Sequence, residues 1–111
     1  AVERARAEGR PVFVDFTADW CITCKVNETV VLSRGVVKDE LERWNYASFK
    51  ADWTRRDDAI TVELGEWGRA GVPMYLVYPA DPARAPQLLP ELLTLEATLE
   101  ALAEAGEGTG A

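Results

Sequence analysis

The sequence contains no histidine and only two cysteines among its 111 residues. The absence of histidine removes the usual catalytic base and one of the usual zinc ligands. A structural zinc site takes four cysteine or histidine ligands, so this chain could build one only with carboxylates or with ligands from a partner chain. Two cysteines are also too few for the disulfide framework of a small secreted protein.

Basic residues and long apolar runs are scarce as well. Twelve lysines and arginines face 19 aspartates and glutamates, and the net charge of −7 argues against a nucleic-acid-binding surface. No apolar run approaches the roughly 18 residues that a membrane-spanning helix needs. The opening "AVERARAEGR" lacks both an initiator methionine and the apolar segment of a signal peptide, so we expect a mature form or an excised domain.

The composition that remains is that of one globular domain. Hydrophobic residues make up 48% of the chain and charged residues 28%, and the length fits a single core. We predict one domain over residues 1–106, followed by a flexible tail over residues 107–111 that is rich in glycine.

Hydrophobic periodicity predicts eight elements in the order α-β-α-β-α-β-β-α. Ile22, Val26 and Val30 recur at helical spacing after the cysteines. The first four predicted elements are helix 1–8, strand 11–16, a helix after the cysteines with a continuation capped by Ser33, and strand 46–51. The last four are a helix opened by Asp57, strands 74–78 and 87–90, and a helix capped by Thr94 and ended by Gly106.

This order predicts an α/β fold with one mixed sheet and helices on both faces. The early alternation of strands and helices implies parallel pairing through right-handed crossovers. The late step from strand to strand implies an antiparallel edge.

The two cysteines, Cys21 and Cys24, stand three positions apart in "ADWCITCK". One interpretation is a disulfide that only staples the fold. Closing so short a loop lowers the entropy of the unfolded chain and so stabilises the fold by only roughly 2 kcal/mol. A bridge that served stability would more usefully link distant segments.

A redox-active dithiol is the other interpretation, and the local pattern favours it. Positions i and i+3 at the start of a helix share a face, close enough for an S–S bond. The first cysteine lies near unpaired backbone N–H groups and the positive end of the helix dipole, and both favour the attacking thiolate. The interpretation requires a Cys21 sulfur that partners can reach.

Longer motifs resemble a known family. The segment "VFVDFTADWCITCK" resembles the active-site segment of thioredoxin-like domains, and "GVP" at 71–73 resembles their cis-proline loop. The resemblance implies the thioredoxin fold over roughly residues 10–104. "ADWCxxCK", Glu28 and "KADWTRRD" at 50–57 are similar to the C-terminal periplasmic domain of membrane-embedded thiol:disulfide interchange reductases of the DsbD/ScsB type.

The resemblance implies roles for individual residues. Cys21 would be the nucleophile and Cys24 the resolving thiol, while Asp15 and Glu28 would be acidic neighbours that tune them. Their redox-active disulfide would serve without a metal or a dissociable cofactor.

Five further residues would face the substrate. The Pro73 peptide bond is expected to be cis, which would present the backbone of Val72 beside Cys21 to an extended segment of a partner. Trp20 is expected to be partly exposed and to shield the sulfur, although simple core filling is the alternative. Ile22 and Thr23, between the cysteines, complete this predicted surface.

The carboxylates have alternatives too. Asp15 interrupts an apolar strand, so it is either a desolvated group with a raised pKa that accepts the proton of Cys24, or an edge residue in water. Glu28 follows Cys24 by one helical turn, or it lies on a solvated helix face. Two nearby negative charges would oppose a thiolate, so we predict a reducing couple with a Cys21 pKa at or above that of free cysteine. Whether Lys50 contacts Asp15 stays open.

The family implies a relay of two electrons. The donor would be the transmembrane domain of the same parent protein, in the inner membrane. The acceptor would be a periplasmic thioredoxin-like or immunoglobulin-like domain, or a disulfide isomerase. The isolated domain would be monomeric. Two alternatives remain, namely a soluble thioredoxin-like reductase and a binding module whose disulfide is only structural.

Overall fold

A four-stranded mixed sheet organises the computed structural model, which describes residues 1–107. Its strands are β1 (Val12–Thr17), β2 (Ala47–Asp52), β3 (Met74–Tyr78) and β4 (Gln87–Leu88). They lie side by side in the order β2-β1-β3-β4. The predicted mixed α/β fold is therefore confirmed.

Helices precede β1, lie between β1 and β2 and between β2 and β3, and follow β4. They are α1 (Val2–Ala7), α2 (Ile22–Asn27), α3 (Gly35–Arg43), α4 (Asp58–Glu66) and α5 (Leu95–Glu107), and a π-helical turn, Glu28–Leu32, continues α2. No helix within residues 1–107 has the length and apolar character needed to cross a membrane.

Strand pairing matches the prediction at both ends of the sheet and differs in the middle. β1 is parallel to β2, and β3 is antiparallel to β4, as expected. However, β3 is also antiparallel to β1, with Phe16 opposite Met74. The carboxyl end of β1 thus lies beside the amino end of β3. This pairing brings the loop before β3 next to the loop that follows β1.

The sheet separates two apolar cores. Alternate residues of a strand point to opposite faces, so Phe13 and Asp15 project to one side while Val12 and Val14 project to the other. Phe13 packs with residues of α3 and α5, and Val12 and Val14 pack with residues of α1 and α4. Asp15 therefore faces the layer that contains the helix of the cysteines.

The predicted Ser33 cap is wrong. Helix α3 begins at Gly35 with Arg34 as its N-cap, and no side chain caps it. The Ser33 hydroxyl instead donates to the carbonyl oxygen of Thr29 at 3.0 Å, and the Ser33 N–H donates to the carbonyl oxygen of Glu28 at 2.8 Å. Ser33 therefore closes the π-helical turn rather than opening the next helix.

The other two caps are confirmed. Asp57 Oδ1 accepts the backbone N–H groups of Ala59 and Ile60, at 2.9 and 3.2 Å. Thr94 Oγ1 accepts the N–H of Ala97 at 3.2 Å. Helix α5 continues past Gly106 to Glu107, the last described residue, and the rest of the predicted tail, 108–111, lies outside the described residues.

Candidate active site

The two cysteines form a disulfide at the start of α2. Cys21 is the N-cap residue of that helix, and its Sγ accepts a hydrogen bond from the backbone N–H of Cys24 at 3.1 Å. Their Cα atoms are 5.2 Å apart. The sulfur of Cys21 thus receives one of the N–H groups that a helix leaves unpaired at its start, which favours negative charge on that sulfur.

Burial does not distinguish the two cysteines. Cys21 is 6% exposed and Cys24 is 5% exposed, in a small cluster with Ala18 and Val72. The sequence interpretation requires a Cys21 sulfur that partners can reach, and in the disulfide form only a small fraction of Cys21 is exposed. In the disulfide form, the position of Cys21 at the helix start is what sets it apart from Cys24.

The loop before β3 lies against the disulfide. The peptide bond between Val72 and Pro73 is cis, as the resemblance implied, and Val72 packs onto the cysteine cluster. The antiparallel pairing of β1 with β3 produces this contact, because it places both loops at one end of the sheet.

Asp15 is a buried carboxylate in the middle of β1. It is 8% exposed, and its neighbours in the sheet register are Lys50 on β2 and Tyr75 on β3. Burial raises the pKa of Asp15 to about 6, while the charge of Lys50 lowers that pKa and the charge of Glu28 raises it. Asp15 Oδ1 has no hydrogen-bond partner. The structure thus has the desolvated carboxylate, not the solvated edge residue.

A cavity of about 180 Å³ connects this carboxylate to the second cysteine. Asp15, Cys24, Glu28 and Lys50 all contribute to its lining, and Glu28 is exposed at the surface. Within residues 1–107, Lys50 and Asp15 do not form an ion pair, although the charge of Lys50 acts on Asp15. The cavity is large enough to admit water between the carboxylate and the cysteine.

Trp20 is partly exposed, as predicted. Its side chain is 55% exposed, its indole N–H donates to the carbonyl oxygen of Thr54 at 3.0 Å, and its ring lies tilted against Trp53. Ile22 is fully on the surface and Thr23 is half-buried. That Trp20 shields the Cys21 sulfur stays a prediction.

The helical stripe in the sequence turns out to lie on the outside. Ile22, Val26 and Val30 are all exposed. The buried face of the same segment is formed by Cys24, Asn27 and Val31, which recur at helical spacing too. The segment therefore carries two sets of residues at helical spacing. The set that contains Cys24 and Asn27 packs on the sheet, and the more apolar set faces outward.

Asn27 holds the cysteine helix in place, a role that the sequence interpretation missed. Its side chain donates to the Tyr75 hydroxyl at 2.9 Å and to the carbonyl oxygen of Glu91 at 2.7 Å, and it accepts the N–H of Leu93 at 3.0 Å. Asn27 thereby joins the cysteine helix to β3 and to the loop before α5. Its place on the buried stripe with Cys24 was the available signal.

Among residues 1–107, no three or more histidine, cysteine, aspartate or glutamate side chains are arranged to hold a metal ion.

Known proteins resemble this chain in sequence. A family model described as thioredoxin-like matches residues 1–80. A thiol:disulfide interchange protein DsbD of Pseudomonas aeruginosa is 36% identical over 78 residues, which are 70% of this chain and 13% of that protein. The DsbD of Ralstonia nicotianae is 33% identical over 86 residues, which are 78% of this chain and 14% of that protein. The chain therefore corresponds to a small part of these relatives.

Solved structures resemble it in fold. The C-terminal domain of DsbD from Neisseria meningitidis, in its oxidised form, has a TM-score of 0.76 and 25% identity, covering 94% of this chain and 89% of that domain. A thioredoxin from Thermus thermophilus has a TM-score of 0.73 and 22% identity, covering 97% and 83%. The second likeness concerns the fold alone.

Proposed function

This chain belongs to the thioredoxin-like family, and on that premise we propose that it is a thiol–disulfide exchange module that relays two electrons between protein partners. The observation that carries the proposal is the disulfide at the start of α2, in which Cys21 Sγ accepts the Cys24 N–H beside Val72. A thiolate formed at Cys21 would be stabilised there and would face the loop that partners approach.

The first half of the exchange begins with both cysteines reduced. The Cys21 thiolate attacks one sulfur of a partner disulfide, the partner S–S bond breaks, and the second partner sulfur leaves and takes up a proton. Cys24 then loses its proton and attacks Cys21 Sγ. The mixed disulfide breaks, and the partner leaves with two reduced sulfurs and two electrons.

Asp15 is proposed as the group that takes the proton of Cys24. A carboxyl group with a pKa of about 6 is mostly ionised at pH 7, and it shares its cavity with Cys24. A water molecule in that cavity would bridge the two groups. Glu28, at the mouth of the same cavity, is proposed to raise the thiol pKa values by its charge. The couple would then be a reductant.

The second half regenerates the dithiol. An upstream dithiol attacks the disulfide between Cys21 and Cys24, and a second attack within the donor releases the reduced module. We propose that the donor is the transmembrane domain of a longer parent protein in the inner membrane, with this module in the periplasm. The similarity to DsbD proteins supports this placement. No metal and no dissociable cofactor takes part in the proposed exchange.

The acceptor is proposed to be a periplasmic protein domain of the thioredoxin-like or immunoglobulin-like kind, or a disulfide isomerase. Trp20, Ile22 and Thr23 would form one side of its binding surface, and the Val72 and Pro73 loop the other. Trp20 and Ile22 are large, apolar and exposed next to Cys21, which suits a protein better than a small polar disulfide. The module would act as a monomer.

The test offers the oxidised chain two sources of electrons. Membranes that contain the Pseudomonas aeruginosa DsbD without its own C-terminal domain, first reduced with dithiothreitol and then washed free of it, should reduce the disulfide, as followed by thiol alkylation and mass spectrometry. A cytosolic thioredoxin reductase with NADPH should not. Reduction only by the reductase would identify a soluble thioredoxin-like protein instead. A disulfide that neither source nor excess glutathione opens would be structural.

A further inference from the structure

The segment 52–54, at the end of β2, holds the loop that leads to Cys21. Thr54 Oγ1 accepts the backbone N–H of Asp19 at 2.8 Å, and the Thr54 carbonyl oxygen accepts the indole N–H of Trp20 at 3.0 Å. One threonine therefore binds both residues that immediately precede the nucleophile.

Asp52 holds that threonine in turn. Asp52 Oδ1 accepts the Thr54 hydroxyl and also the Thr54 backbone N–H, the latter at 2.9 Å. Because the Thr54 hydroxyl and N–H donate to the carboxylate, the pKa of Asp52 lies below its usual range. The Thr54 hydroxyl thus donates to Asp52 while it accepts from Asp19, so its orientation is set from both sides.

The loop between β1 and Cys21 is short, and backbone hydrogen bonds hold both of its ends. The Trp53 N–H donates to the carbonyl oxygen of Thr17 at 2.7 Å, where β1 ends, and the Cys21 N–H donates to that of Ala18 at 3.1 Å. Between these two hydrogen bonds, Asp19 and Trp20 bind Thr54, and the Trp20 ring also lies against Trp53.

We propose that Thr54 is a positioning residue for Cys21. The Thr54 hydroxyl keeps the loop 18–20 in place when the disulfide opens. The inference rests on the proposed exchange function. In the disulfide form, the covalent bond to Cys24 already fixes Cys21. In the dithiol form, this fixation is gone, and the loop depends on its hydrogen bonds. Loss of the hydroxyl would therefore loosen the dithiol form more than the disulfide form.

That difference has a measurable consequence. A looser dithiol keeps its two sulfurs within bonding reach for less of the time, so the disulfide forms less readily from it. The equilibrium to measure is the reaction of the dithiol with oxidised glutathione, which gives the protein disulfide and two molecules of reduced glutathione. One hydrogen bond supports a change of about three- to tenfold in such a constant.

The test compares Thr54→Val, Thr54→Ser and the control Thr94→Val. Valine keeps the shape of threonine without its hydroxyl, while serine keeps the hydroxyl. Thr94→Val removes a similar bond to a backbone N–H, that of Ala97 at the start of α5, and this bond is not part of the network around Thr54. Thr54→Val should lower the equilibrium constant with glutathione about three- to tenfold. Thr54→Ser should stay within about twofold of the wild type, and Thr94→Val should not change it.

Stability is measured in parallel by urea unfolding of the oxidised proteins. If Thr54→Val unfolds more easily but keeps the wild-type glutathione equilibrium, Thr54 is only structural and the proposal is overturned. Should that variant not fold, Asp52→Asn provides the second measurement, because a neutral amide oxygen is a weaker acceptor for the hydroxyl. It should shift the equilibrium in the same direction by less, and no shift would overturn the proposal. A wild-type chain that does not exchange with glutathione would contradict the proposed function itself.

Discussion

Asp15 and Cys24 lie on different elements, β1 and α2, yet they line one cavity of about 180 Å³. The carboxylate is buried and one of its oxygens has no hydrogen-bond partner. A group in that condition is costly to keep charged. The cost of this carboxylate to the fold and its proposed use in proton transfer therefore have one cause, and the two effects can be measured separately.

The stability of the oxidised chain should fall as pH rises from about 4 to about 6. The pKa of Asp15 is raised from 3.8 to about 6, so the folded chain holds this proton more tightly than the unfolded chain does. Where the folded state binds more protons, the free energy of unfolding decreases with pH. The full difference corresponds to roughly 3 kcal/mol, lost above pH 6.

Asp15→Asn should remove this pH dependence and unfold at higher urea concentration than the wild type at pH 8. Urea unfolding between pH 4 and 8 gives both results. Asp19→Asn, which replaces an exposed carboxylate on the rim of the same cavity, serves as the control and should keep the wild-type slope. A wild-type slope in Asp15→Asn would show that another group causes the pH dependence.

The charges around the cavity should move the pKa of Asp15 in opposite directions. Glu28→Gln removes a negative charge that raises this pKa, so the pKa should fall. Lys50→Met removes a positive charge that lowers it, so the pKa should rise further. The carboxyl carbon signal of Asp15, followed by NMR during a pH titration, reports both shifts. Lys38→Met, on α3, is the charge-removal control. Shifts of the same sign in both variants would disprove the arrangement.

A glycine in α5 packs closely against Trp44, at the core that Phe13 forms with α3 and α5. A Cβ atom at position 106 would overlap two ring atoms of Trp44 and approach the Trp44 Cβ to 2.9 Å. Gly106→Ala should therefore destabilise the fold by about 1–3 kcal/mol, because the packed indole has to move. Gly65→Ala, in α4, meets no atom within 4 Å and should stabilise by about 0.5–1 kcal/mol through helix propensity.

Thermal and urea unfolding of the two glycine variants tests this contrast directly. Equal effects would mean that the Trp44 ring adapts without cost.

Local sequence signals predicted most of the elements and the disulfide itself. The apolar run of β1, the spacing of Cys21 and Cys24, and the caps at Asp57 and Thr94 all depend on neighbouring residues, which a sequence displays. The cis peptide bond before Pro73 could be predicted only from the family resemblance, since composition gives no reason to expect it.

Features that depend on tertiary contacts were missed. The segment after the cysteines carries two stripes at helical spacing, and only packing on the sheet decides that Val26 lies outside and Asn27 inside. Likewise, Thr54 is separated from Asp19 by 35 positions, so no local pattern connects them. Ser33 does not cap the next helix, contrary to the prediction, because the π-helical turn moves the helix boundary.

The most direct measurement asks which sulfur attacks. Reduced Cys24→Ser and reduced Cys21→Ser are each mixed with oxidised insulin at pH 7.5, quenched with acid, and analysed by mass spectrometry for a mixed disulfide. We expect Cys24→Ser to accumulate insulin bound through Cys21, and Cys21→Ser to accumulate little, because only Cys21 caps α2. Equal or greater trapping through Cys24, or no reaction of either folded variant with insulin and iodoacetamide, would contradict the exchange mechanism.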